Sequence, residues 1–484
     1  MKFDSSFLPL AGACSLLLAG CGGGDSSTSG EPTPPAATTA ISTSGVITGF
    51  GSVIVNGVRY ETTATEFSDD GDAISQDELA VGQFVRLNGE ISASGEAHAL
   101  SVERDDLLEG PISAIDAAAG RLVVLGQTVI VDADTSFDAR ISPASITGLA
   151  VGDWIEVDGL PGADDTIHAT RIEPASAGGE MEVTGTVRQL DTAARTFVVG
   201  ELAVDYSQAT LEDFPSTGVA AGHLVEVKGN ALGGGGELIA TELELKTLVS
   251  RDDDDDDREV ELEGYVTRFA SASDFDVGGH RVSTSGSTSF EGGVASDLAL
   301  GVKVVVEGSL DAAGTLVADE VEIRRRGDAR ITGAIEVIDA EAKVITVLGI
   351  DVQLDGRTRF EDRTALDDAF LSAARLAVGD WVEIHGYEDP ALAGRVLATR
   401  LEREDDDDQE VELRGEAQAV SAPALTILGV QIETHAGTRF SDNDVTIDAA
   451  TFFAQAAGRL VEVDGTWDGA TLVAAEVELE DRAP

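Results

Sequence analysis

Leu149–Leu160, LAVGDWIEVDGL, is the stretch from which the fold is read. Gly152 and Gly159 bound it, Ile155 and Val157 alternate inside it, and Glu156 stands between them. Alternation of period two between glycines predicts a half-buried strand ending in turns. Working outward, the same pattern opens at Gly82, Gly222, Gly301, Gly379 and Gly458, with a second glycine at Gly89, Gly229, Gly308, Gly386 and Gly465. The inner aliphatic pairs are Val85/Leu87, Val225/Val227, Val304/Val306, Val382/Ile384 and Val461/Val463. One such strand cannot bury its apolar face alone, so each copy marks one folded unit.

Around that strand the rest of each unit repeats too. Each opens at a glycine (Gly45, Gly110, Gly185, Gly264, Gly333, Gly415), turns at a second (Gly57, Gly126, Gly200, Gly279, Gly349, Gly429) and reaches an apolar stop (Phe67, Phe137, Leu211, Phe290, Phe360, Phe440). A variable stretch follows, helix-like in DDAFLSAARL (367–376) and DAATFFAQAA (448–457). After the Gly-to-Gly strand, a last strand carries Ala99, Ala169, Ala240, Ala318, Ala398 or Ala474, and an aliphatic–Glu pair three residues on. Three strands, a short helix and two strands in 60–70 residues is the arrangement of OB-type folds. The expected fold is therefore all-β: a tandem array of six small five-stranded OB-like barrels, each with a short helix between strands three and four. The expected segments are a signal peptide (1–20), a flexible tether (21–44), barrels at 45–104, 108–174 and 181–246, an acidic linker (247–258), barrels at 259–324 and 329–403, a second acidic linker (404–410) and a last barrel at 411–480. A split β-sandwich or another Greek-key barrel shares this periodicity, because period does not encode strand order.

The 484-residue chain carries a formal charge of −57, and its only lysines are Lys2, Lys228, Lys246, Lys303 and Lys343. Such a surface repels nucleic-acid backbones and anionic headgroups, which excludes nucleic acid as a partner. The acid runs RDDDDDDR (251–258) and EDDDDQ (404–409) should be extended and solvated by self-repulsion. At the N-terminus, Phe7–Ala19 is apolar but too short for an ordinary transmembrane helix, and it ends in Leu18-Ala19-Gly20-Cys21. That ending resembles a bacterial lipobox, which implies cleavage before Cys21 and lipidation of it; several acyl chains anchor stably. The expected location is therefore exported and membrane-anchored, at the outer membrane, because Gly22 and not Asp follows Cys21. With Cys14 removed and Cys21 lipidated, no disulfide is expected. The Gly/Ser/Thr/Pro-rich segment after Cys21 reads as a tether reaching roughly 25–30 Å.

The opening GVITGFGSVIVNGVRYET (45–62), the GDW-aliphatic strand and the lipobox together resemble a bacterial lipoprotein family known as domain of unknown function 5666. The resemblance spans 45–479 and implies the architecture and export route; it brings no activity, ligand or catalytic residue.

For chemistry, the six histidines (His98, His168, His223, His280, His385, His435) occupy several different repeat positions, whereas a site built on the repeat would reuse one. No nucleophile elbow, zinc helix or phosphate loop is found, so no catalytic residue and no enzyme activity are expected. No cofactor is expected either; calcium is the one cation the sequence offers ligands for, at carboxylates after the apolar stops: Asp69, Asp70, Asp72, Asp442 and Asp444. Helix capping or loop solvation explains the same residues. Trp154 and Trp381 fall on the outer strand face by alternation, so something should cover them: the preceding helix, a neighbouring repeat, or a ligand such as a sugar ring. The expected function is a non-enzymatic, lipid-anchored cell-envelope binding, scaffold or adhesion array, with protein or polysaccharide as partner. The alternative is a polysaccharide-active envelope enzyme or its accessory carbohydrate-binding subunit.

Overall fold

The computed structural model describes residues 38–249, 258–324, 327–366, 368, 370–390, 392–405, 410–443 and 445–480. Cys21, Asp444, the N-terminal part of the tether and the Asp runs at 252–257 and 406–408 lie outside the described residues. The chain is all-β, and six repeats each close into a five-stranded barrel.

In the first barrel the strand Thr38–Gly49 pairs with Val53–Val55 and with Phe84–Ser92. Val53–Val55 pairs with Val58–Glu61, which runs parallel to Ala97–Arg104. Ala97–Arg104 then closes on Phe84–Ser92. This is the OB-type closure, with the third strand meeting the fifth in parallel. The order recurs from Leu108–Asp116, where the second barrel's third strand, Gln127–Ile130, lies parallel to its fifth, Thr166–Pro174. Barrel one begins at Thr38, inside the segment expected as tether. Thr38–Ser44 is a β-favouring run that zips onto the fourth strand from Thr38↔Ser92 onward, with Ile41 buried.

The two glycines of the repeated strand have different physical reasons. The first takes a left-handed φ, +96° at Gly152, and its N–H donates to the carbonyl of a bent first strand: Gly82 to Ile47, Gly152 to Ile112, Gly222 to Val187, Gly301 to Val266, Gly379 to Ile335 and Gly458 to Ala417. The second stands opposite the fifth-strand alanine at a bulge, as Gly89↔Ala99, Gly159↔Ala169, Gly229↔Ala240, Gly308↔Ala318, Gly386↔Ala398 and Gly465↔Ala474. A Cβ on Gly308 would sit 2.1 Å from the Val317 carbonyl oxygen, so close approach of backbone excludes any side chain there.

The connection before the fourth strand is shorter than the expected helix. It is a single 3-10 turn in four barrels (Gln76–Glu78, Ile146–Gly148, Ala295–Asp297, Ala373–Arg375), an α-helix at Ala449–Gln455 in the sixth, and neither in the third among the described residues. The difference lies in the apolar stripe. In the sixth barrel Asp448 caps the Thr451 N–H, and Phe452 and Ala456, four apart, are both buried. In the fifth, Leu371 and Leu376 bracket an exposed stretch, which one turn satisfies.

The barrels join in pairs across their first strands. Barrels two and three meet antiparallel at Glu182↔Glu109 and Val183↔Leu108, and five and six at Ile331↔Leu413; each pair has one continuous hydrophobic core. Barrels one and four meet in parallel, Ile41↔Glu259 through Ser44↔Leu262, and keep separate cores. Thr38–Pro484 forms one compact unit. A tandem array in which only neighbours touch does not describe it, because barrel one pairs with barrel four.

Candidate functional site

In four of the six barrels the fourth strand sets its motif glutamate directly across from the motif glutamate of the fifth: Glu156↔Glu173, Glu226↔Glu244, Glu383↔Glu402, Glu462↔Glu478. Like charges opposed on a sheet destabilise it unless cations intervene. In barrel two the cation is Arg104 from the end of barrel one, which contacts Glu156, Asp158 and Glu173. In barrel three Lys246 binds Glu226 at 2.7 Å and Asp105 at 2.9 Å, while Lys228 contacts Asp70, Glu182 and Glu226. In barrel five Arg363 and Arg400 hold Glu402, and His385 Nε2 lies 2.7 Å from Glu383. In barrel six Glu462 has Arg330 of barrel five 3.7 Å away.

These ionic junctions account for most of the carboxylate clusters. Among the described residues, four groups bring ligand-type atoms within 4.8 Å of one another: Glu383/His385/Glu402, Asp69/Asp70/Asp106, Asp70/Glu182/Glu226 and Glu156/Asp158/Glu173. Protein cations already sit against members of every group. Burial lifts the Asp158 carboxyl to about 6, with Arg104 opposing and Glu173 adding to the rise. Burial also raises Asp105, but Lys246 and Arg86 outweigh it and bring the group down to about 2.

Of the calcium candidates, Asp69 and Asp70 do come together, with Asp106 from the connection to barrel two, but Asp69 faces Arg104 and Asp70 faces Lys228. Asp72 is exposed on a short hairpin. Asp442 is paired with Arg459 at 3.0 Å. Asp444 and Cys21 lie outside the described residues. Trp154 packs on the margin of the shared core of barrels two and three; Trp381 packs on the core of barrels five and six. Trp467, which alternation did not single out, reaches from barrel six to donate its indole N–H to Glu336 at 2.6 Å.

The space with the geometry of a site lies between barrels. A cavity of about 1060 Å³ opens where barrels one, two, four and five meet. Thr48 reaches it from barrel one, His168 and Thr170 from barrel two, Tyr265 and Lys303 from barrel four, Arg359 and Thr399 from barrel five. Its walls are fixed by contacts across the barrels. The His168 ring stacks on Tyr265 at 4.2 Å, Thr48 donates to the Gly356 carbonyl at 3.0 Å, and Arg357 binds Glu322 at 2.8 Å. Arg359 and Arg400 donate to the carbonyls of Asp134 and Ala133, tying barrel five to barrel two. Barrels two and five bring equivalent repeat positions to this space, Ala169-Thr170 and Ala398-Thr399, but no repeat period records that barrels so far apart in sequence meet.

Segments 42–103, 109–173, 184–244, 263–322, 332–402 and 414–478 each match one family model, described as Domain of unknown function (DUF5666). A search of curated proteins found no match.

Proposed function

The chain belongs to the DUF5666 family, and from that premise we propose that it is a non-enzymatic binding protein of the bacterial cell envelope. Lipid on Cys21 holds it to the outer membrane, and the six barrels together form the binding head. The observation that carries this reading is the cavity shared by four barrels: independent spacers would have no shared interior, whereas a head assembled around one space has a single place for a partner. Polysaccharide is the favoured partner class, since aromatic rings (His168, Tyr265, Tyr387) and hydroxyls (Thr48, Thr166, Thr170, Thr399) line the cavity together.

The test has two readouts. Cys21→Ser should move the protein out of the carbonate-washed membrane fraction, and its retention there would refute the anchor. The released protein, incubated with envelope polysaccharide, should retain the polymer and generate no new reducing ends. New reducing ends would establish the alternative, a polysaccharide-active enzyme.

A further inference from the structure

We propose that the four-barrel cavity binds a carboxylated polyol of the uronic-acid type, with its carboxylate on the arginine wall and its hydroxyls on Thr170 and Thr399. This rests on the reading of the cavity as the binding site and names the ligand class.

The argument comes from which wall groups already have partners. The wall carboxylates accept from the protein itself: Glu263 from the Val46 N–H at 3.0 Å and from Lys303 at 2.9 Å, Asp297 from the Val294 N–H at 3.0 Å, Asp355 from the Arg357 N–H at 2.8 Å, and Asp132 from the Asp134 N–H at 2.9 Å. Of the other wall carboxylates, Asp134 faces the charges of Arg359, Lys303 and Arg400, and Asp164 is exposed; the remaining buried wall atoms include unmet donors. Thr170 Oγ1, Thr399 Oγ1 and Arg324 Nε are buried without a hydrogen-bond partner, and Arg359 Nε also makes no hydrogen bond, although Glu361 lies 3.3 Å away. A buried polar group without a partner is costly, so unmet donors call for a molecule that brings acceptors.

Arg121, Lys303, Arg324, Arg357 and Arg359 line this one space, facing Asp132, Asp134, Asp164, Glu263, Asp297 and Asp355 across it. Burial and the neighbouring Arg400 hold the Arg359 guanidinium below its ordinary range, with Glu361, Asp134 and Glu402 opposing the shift. A guanidinium fork suits a carboxylate. A bare inorganic anion would answer the arginines and leave the two threonines unmet; a polyol carboxylate answers both. The volume fits several sugar rings, and Arg121, Asp164 and Leu300 are exposed lining residues through which the cavity meets solvent.

Calorimetric titration of the full mature protein, made soluble by Cys21→Ser, tests this with three probes: tetragalacturonate, neutral maltotetraose and inorganic phosphate. Tetragalacturonate should bind saturably and at least tenfold more tightly than either of the others. Arg324→Gln should weaken it about tenfold, and Thr399→Val, which removes an oxygen without changing volume and should leave the melting temperature intact, several-fold. Equal binding of maltotetraose would overturn the acidic ligand class while leaving the cavity as the site. Phosphate matching tetragalacturonate would overturn the polyol part. Binding unchanged in Thr399→Val and Arg324→Gln would overturn the location. No binding of any probe would overturn both this inference and the binding-head reading.

Discussion

Barrels two and three, and likewise five and six, are neighbours in sequence that share one apolar core through antiparallel first strands. Barrels one and four stand more than 200 residues apart at their junction and meet through a parallel strand pair lined with polar groups. There Ser42 donates to the Leu248 carbonyl at 3.3 Å, Thr43 bonds Tyr60 at 2.9 Å and Glu261 at 3.2 Å, and the Val46 N–H donates to Glu263. Bringing distant segments together costs closure entropy that short connections avoid. The polar seam is the weaker of the two kinds of joint, so the fused pairs should unfold as pairs while the seam opens first.

The largest effect expected from this difference is at a fused core. Val183→Asp places a charge between barrels two and three and should destabilise both by about 4 kcal/mol. In hydrogen exchange the two barrels should lose protection together while barrels five and six keep theirs. Protection retained in barrel three alone would break the shared-core account.

The seam should respond to pH. Burial lifts Glu261 to about 7, hydrogen bonds from Asn56 and Thr43 pull back only part of this, and Glu263 adds to the rise. Tyr60, Glu259, Glu263, Glu307 and Arg324 surround the same seam. A carboxyl with a raised folded pKa keeps its proton longer folded than unfolded. Its contribution is therefore full below the unfolded value and falls as pH climbs toward 7, by up to about 3 kcal/mol. Glu261→Gln should flatten that slope for barrels one and four. Barrels five and six should keep their own dependence, which follows Glu462, lifted to about 8 by burial and Glu412 against Arg330. Unchanged pH dependence of barrel-one exchange in Glu261→Gln would remove Glu261 from the seam.

Thr43→Val deletes two hydrogen bonds at the seam and should cost about 1–2 kcal/mol in denaturant unfolding of barrels one and four. A loss of the same size in barrels two and three would mean that the joints are not separable. Smallest of all is Asp442→Asn, which removes a partly exposed pair with Arg459 and should change stability by no more than about 0.5 kcal/mol, less at high salt.

How much of this was legible follows from the range of each interaction. The glycine and alanine spacings are local consequences of a positive φ and of a bulge where two backbones touch, so every barrel repeats them and the sequence displays them. The strand order and the pairing of barrel one with barrel four depend on contacts far apart in sequence, which no period records. In the fold the motif glutamates oppose one another and draw Arg104 and Arg330 across barrel boundaries. Asp69 and Asp70 were visible as a cluster, but the Arg104 and Lys228 side chains facing them come from other strands. The cavity was invisible because Thr170, Arg324 and Thr399 become neighbours only when four barrels assemble.

Small-angle scattering of residues 38–484 tests the central claim most directly, that six barrels form one body closed by the seam between barrels one and four. A single compact body of this length should have a radius of gyration of roughly 22 Å, unchanged between low and high monovalent salt. A markedly larger radius that shrinks as salt screens the acid runs would describe barrels strung on linkers, and would contradict both the seam and the cavity it helps to enclose.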